Sequence, residues 1–236
     1  MAEWAAKRFW KETAVIEDEG GFAVHLDGRP VRTPAKAPLI VPTRALAEAI
    51  AAEWDAQDEQ IDPHSMHATR GANAAIDRVT IHHDEVVTML ADYGDSDLTC
   101  YRAPHPMELA ERQAAAWDPM LDWVAERFDA RLEPRTGVMH YAQPDQARAN
   151  LRAEVARLNA FELSAFHDLV TLSGSLVIAL AAIHDQHPIE TLWDMSRIDE
   201  TFQIEQWGVD EEAAEEAAIK RGSFLRAHVF YTSVQS

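Results

Sequence analysis

Period-two hydrophobic alternation in this chain is confined to the residues before Thr43, and from there to the end only helical spacing recurs. That switch constrains the fold more than any other feature, because a short N-terminal sheet must then depend on a much larger set of helices. The clearest local signal is Gly21-Phe22-Ala23-Val24-His25-Leu26 followed by Asp27-Gly28 and Arg29-Pro30-Val31-Arg32-Thr33. Phe22, Val24 and Leu26 alternate with smaller or polar residues, and Asp27-Gly28 tolerates the positive φ angles of a type I′ turn, so the segment is expected to be a hairpin. Pro30 limits its strand to an edge or a bulge. Pro34, Pro38 and Pro42 break the chain around a short Leu39-Ile40-Val41 strand. Residues 9–42 are thus expected to hold about four or five strands, too few to be stable alone.

Thr43 is a plausible N-cap, and Leu46, Ile50 and Trp54 follow it as one apolar stripe at i, i+4, i+8. Trp54 is expected to be a folding residue. Asp62-Pro63 can open the next helix, with Asn73 and Asp77 four apart on one face and Ile76 and Val79 toward the core. Asp84-Glu85 begins another, with acids at the positive end of its dipole. Pro106 starts a long segment to about 132 in which Asp118-Pro119 should cause a kink or restart. Further helices are expected at 144–158, 161–173, 175–184, 188–206 and 210–230. The fold class is therefore α+β, with a small antiparallel β domain over 1–43 and a larger, mainly helical domain over 44–236.

Charge narrows the function. The 236 residues carry 40 Asp and Glu against 21 Lys and Arg, a formal charge of −19. Affinity for nucleic acid or anionic lipid rests on Lys and Arg displacing counterions, so partners should be neutral or basic proteins. The lone Cys100 excludes an internal disulfide and a Cys-based metal cage. The longest uncharged run, Leu169 to Ile183, falls short of the about 20 apolar residues that span a bilayer and reads as buried helix. Residues 1–10 have neither an apolar signal core nor a transit-peptide composition, so a cytoplasmic protein is expected, although a processed organellar chain would read the same.

Constellations with chemistry are weak. His64 with His67, His82-His83-Asp84-Glu85, and His184 with His187 are close pairs or clusters, but none has the spacing of a known ligand set. Asp92, Asp95 and Asp97 lack the remaining ligands of a calcium loop. No phosphate-binding glycine loop occurs, and Ser173-Gly174-Ser175 lacks the pattern of a nucleophile turn. Cys100 reads as a buried thiol. Trp207-Gly208 followed by Asp210-Glu211-Glu212 reads either as a capped helix end and a solvated helix start, or as a recognition surface.

Several blocks together resemble the ATP12 family of F1-ATPase assembly chaperones. They are Leu26-Asp27-Gly28-Arg29-Pro30-Val31-Arg32-Thr33-Pro34, Pro38-Leu39 and Ala47; Glu53-Trp54-Asp55-Ala56-Gln57; Thr69, Asn73 and Ala75-Ile76-Asp77-Arg78-Val79; Asp97-Leu98 and Cys100-Tyr101-Arg102; and Glu205-Gln206-Trp207-Gly208 with Glu211 and Ala213. The likeness runs from about Phe9 to Tyr231. Gly71 and Ala74 depart from it, standing where larger Leu and Thr are expected, as does His67 where Pro is common. The resemblance implies a chaperone with no nucleotide, cofactor, metal or catalytic residue, monomeric when free, that binds the free F1 α subunit and shields its interface until it pairs with β. Glu211, Asp210, Glu212, Trp207 and Glu205 are the expected partner-binding residues. Trp54, Asp27, Gly28, Asn73, Asp77 and Arg102 are the expected structural ones. Two alternatives stay open: a metal-dependent enzyme using His82-His83-Asp84-Glu85, and a scaffold for an unrelated partner.

Overall fold

The computed structural model describes residues 7–236. These fall into two compact units, one of 7–83, 160–165 and 229–236, the other of 84–159 and 166–228. The sheet thus shares its unit with chain well beyond Thr43, and the reason lies in its size. Strands β1 (Thr13–Asp18) and β2 (Gly21–Leu26) are six residues each, while β3 (Arg29–Pro30) and β4 (Ile40–Val41) are two. All pair antiparallel, with β2 central: β1 lies on one side, and β3 and β4 on the other. Asp27 and Gly28 form the two-residue turn between Leu26 and Arg29, at φ 49° and 79°. The second of these is a conformation that glycine alone adopts freely.

One face of this small sheet is covered by helix α1 (Arg44–Asp55), capped by Thr43, whose hydroxyl accepts from Leu46 N at 3.2 Å. Leu46, Ala47 and Ile50 are fully buried against Val24, Leu26, Leu39 and Val41. Burying four such aliphatic side chains is worth several kcal/mol at about 1.5–3 kcal/mol each, which the isolated strands could not supply. Glu53 then caps the next helix, α2 (His67–Ala74): its carboxylate accepts from Ala68 N, Thr69 N and the Thr69 hydroxyl at 2.6–2.8 Å. Asp62-Pro63 opens only a single 3₁₀ turn before it. Directly after α2 the chain widens into a π turn over Ala75–Val79.

The second unit begins in α3 (His83–Ala91) and is almost entirely helical. A two-residue strand β5 (Tyr101–Arg102) pairs in parallel with β6 (Arg135–Thr136), separated by α4 (Met107–Phe128). These strands correct the expectation of helix alone after Thr43; each is too short to show alternation. Pro119 lies inside α4, and the helix neither restarts nor ends there, because Trp117, Met120, Leu121 and Val124 keep one continuous face buried across it. Helices α5 (Asp145–Val155), α6 (Ala160–Ser173) and α7 (Leu176–Ile183) follow close to expectation. The expected helix over 188–206 is two, α8 (Ile189–Met195) and α9 (Ile198–Trp207). At the break the Ser196 hydroxyl bonds back to the Trp193 carbonyl at 2.7 Å, offering the backbone an alternative to the helical ladder. Helix α10 (Glu211–Gln235) runs five residues past its expected end.

In this unit α7 is buried along its first seven residues, and buried Asp97 holds its N-terminus. The Asp97 carboxylate accepts from Val177 N at 3.0 Å, the Ser175 and Thr99 hydroxyls at 2.7 Å each, and Thr99 N at 2.9 Å. Burial pushes its pKa up, and those four bonds oppose the shift. Burial and the neighbouring Asp97 also push the Cys100 thiol up to about 12, which leaves it a packing residue and no nucleophile.

Candidate functional site

The end of α9 and the start of α10 bring the expected partner-binding residues together. Helix α9 stops at Trp207 because Gly208, at φ 92°, turns the chain while its N–H donates to the Ile204 carbonyl at 2.8 Å. The indole left at this end is 79% exposed, with Ile204 and Val209 also exposed beside it in sequence. An exposed Trp flanked by two exposed aliphatics loses free energy to water that a partner would recover. Asp210 then caps α10, accepting from Ala213 N at 3.1 Å. That gives Asp210 a structural duty, while Glu211 and Glu212 stand exposed in the first turn.

Glu205 is not free in this arrangement. It accepts from Arg112 Nη1 at 2.6 Å, and Arg112 also donates to Glu108 at 2.7 Å while its guanidinium lies 5.2 Å from the Phe202 ring. The hydrogen bonds Arg112 donates, first to Glu205 and then to Glu108, hold it above its ordinary pKa. Arg112 lies outside the site expected from the sequence. Its i,i+4 pair with Glu108 is visible in the sequence, but nothing there links it to a residue 93 positions away. Further along α10, Glu216 pairs with Lys220 at 2.7 Å, and Glu215 is exposed.

The expected structural residues have mixed partners. Asp27 accepts from Lys11 N at 3.0 Å and Glu12 N at 2.9 Å, and these two bonds hold its carboxyl below the usual range. Trp54 is half-buried, edge-on to Trp10 with ring centroids 5.2 Å apart. Arg102 donates to the Thr99 carbonyl and to Asp118 at 2.6 Å, and lies over the Trp117 ring. Asp77 Oδ2 accepts from Ala35 N at 3.1 Å. Asp77 Oδ1 and Asn73 Oδ1 are buried, with no hydrogen-bond partner among the described residues.

The histidine-rich alternative fares differently. His83, Asp84 and Glu85 lie in the first turn of α3, and among the described residues no three His, Cys, Asp or Glu side chains gather in a way that could hold a metal. Among the same residues no helix is long and apolar enough to cross a membrane.

Known proteins show the same design. The family model for the ATP12 chaperone protein matches residues 7–125. The mitochondrial protein atp12 of Schizosaccharomyces pombe is 25% identical over 221 residues, covering 89% of this chain and 76% of its own length. The crystal structure of Atp12 from Paracoccus denitrificans superposes with a TM-score of 0.95 at 48% identity, covering 98% of this chain and all of that one. A mutant of that bacterial protein matches at 47% identity with the same TM-score, over 99% of this chain and all of the other. Such agreement over nearly the whole length favours neither the enzyme nor the unrelated scaffold: the chain belongs to the ATP12 family of F1-ATPase assembly chaperones.

Proposed function

We propose that this chaperone binds the free α subunit of F1 in the cytoplasm and holds it, through the surface around Trp207, until α pairs with β. The observation that carries the reading is the exposure of Trp207, 79%, followed closely in sequence by the exposed Glu211 and Glu212. An unassembled subunit presents an obligate interface, and such interfaces are apolar and prone to aggregation. A large aromatic anchor flanked by acids suits a target with apolar area and basic or backbone donors at its rim. The −19 charge favours encounter with such a target and keeps the free chaperone soluble.

The test is charge reversal at Glu211. As a helix-start acid alone it is worth about 0.3–1 kcal/mol, too little to unfold the chain. As a desolvated contact its reversal costs about 2–5 kcal/mol of binding. Glu211→Lys is expected to melt near the wild-type temperature and to lose capture of α in co-purification from cells expressing α and β separately. Glu215→Lys is the control, since Glu215 has an exposed position a turn further on. Unchanged capture by Glu211→Lys removes this surface from the reading, and capture of β in place of α removes the client.

A further inference from the structure

Helix α9 is held to its unit by polar contacts more than by apolar ones. Of the residues described in α9 only Phe202 is buried, and every residue from Gln203 to Trp207 is exposed. Three side chains of α4, met from its middle toward its start, grip successively later points of this segment. The Trp117 indole donates to the Met195 carbonyl at 2.9 Å, at the end of α8. Gln113, itself buried, accepts from Ala103 N at 2.7 Å and donates to Asp199 in the first turn of α9. Arg112 donates to Glu205, two residues before Trp207, at 2.6 Å. Burial does not anchor this last point, so the Arg112 contact ties the end of α9 to α4.

Arg112 is itself fixed. Glu108, one turn earlier in α4, accepts from its other terminal nitrogen at 2.7 Å, and the guanidinium lies 5.2 Å from the Phe202 ring. Held at three points, a rigid planar fork offers Glu205 one position. The side chains of Arg112 and Glu205 are 39% and 44% exposed, and an ion pair so exposed adds little to global stability. Its consequence is local: it settles where the end of α9 stands. A helix end without buried contacts opens easily, and a Trp on an open end must be ordered again whenever a partner takes it. Past Trp207 the chain turns at Gly208 and Asp210 caps α10, so the indole stands between a tether before it and a cap after it.

Given the proposed Trp207 surface, on which this rests, we infer that Arg112 is a positioning residue for client capture: it fixes Glu205 against α4 and so presents Trp207 to the client in one place. Glu205 then serves as part of that support and not as a contact of its own.

The free α subunit is titrated against the full chain in a double-mutant cycle. Arg112→Met keeps an apolar stem beside Phe202 and removes every donor. It is expected to melt near wild type, to speed amide hydrogen exchange over 203–209 with the rest of the unit unchanged, and to weaken capture about three- to tenfold. Trp207→Ala is expected to weaken capture at least about thirtyfold. The double variant should bind no worse than Trp207→Ala, since a support then has nothing left to present. Losses that multiply overturn the inference, because Arg112 then acts without Trp207. Unchanged capture or unchanged exchange in Arg112→Met, beside a clear loss in Trp207→Ala, also overturns it and leaves the Trp207 surface standing. Unchanged capture by Trp207→Ala removes that surface, and this inference with it. Should Arg112→Met melt early, Glu205→Gln takes its place in the same cycle, leaving Arg112 on Glu108, and the same outcomes decide.

Discussion

Asp27 has two duties. Its backbone at φ 49° makes the hairpin turn, and its carboxylate collects the Lys11 and Glu12 N–H groups that precede β1. Those bonds favour the charged form, so the folded pKa lies below the ordinary 3.8. Between the two values the unfolded chain binds a proton more readily than the folded one, and stability therefore rises with pH. The contribution is complete above 3.8 and is lost as pH falls through the lowered folded value. Asn also tolerates positive φ, so Asp27→Asn removes the titration and keeps the turn. Urea unfolding across an acid pH series should show a smaller loss of stability in Asp27→Asn than in the wild type; parallel curves would remove this role. Glu53 teaches a related lesson. In the sequence it is one letter of a family block, and in the structure it is the cap that joins α1 to α2 through three hydrogen bonds.

At the scale of elements, close packing explains a departure from the family pattern. A side chain at Gly71 of α2 would begin 2.7 Å from the Phe230 ring, which is itself buried in the core of the same unit. Gly costs a helix about 1 kcal/mol relative to Ala, and here it admits the ring of α10 against the backbone of α2. Gly71→Leu, the larger residue expected of the family, should therefore destabilise by about 1–3 kcal/mol through overpacking, despite its better helix propensity. Thermal melting checks this: a raised midpoint would mean that the ring moves aside. Helix α10 follows the same logic over its length. Its first turns are polar and exposed, while Phe224, Ala227, Phe230 and Val234 are buried at helical spacing, and they carry the helix past residue 230.

For the whole molecule the governing quantity is charge. With −19 in excess, long-range attraction should speed encounter with a basic client, and exposed charges are screened over about 10 Å at 0.1 M salt. Stopped-flow association with α should slow as salt rises while dissociation changes little, because apolar contact around Trp207 resists screening. An association rate flat across that range would assign the acidic excess to solubility alone. Local patterning by itself determined the hairpin at Asp27-Gly28, the cap at Thr43, the Leu46–Ile50 stripe and most helix bounds, since each depends on residues within a turn or two of one another. Motif blocks determined the family. Tertiary structure alone decided the rest: that the sheet shares a unit with α1 and α2, that α4 passes through Pro119 unbroken, that β5 finds β6, and that Arg112 holds Glu205. These are pairings between residues distant in sequence, selected by which apolar faces and charges meet once the chain is folded, and no local period records them.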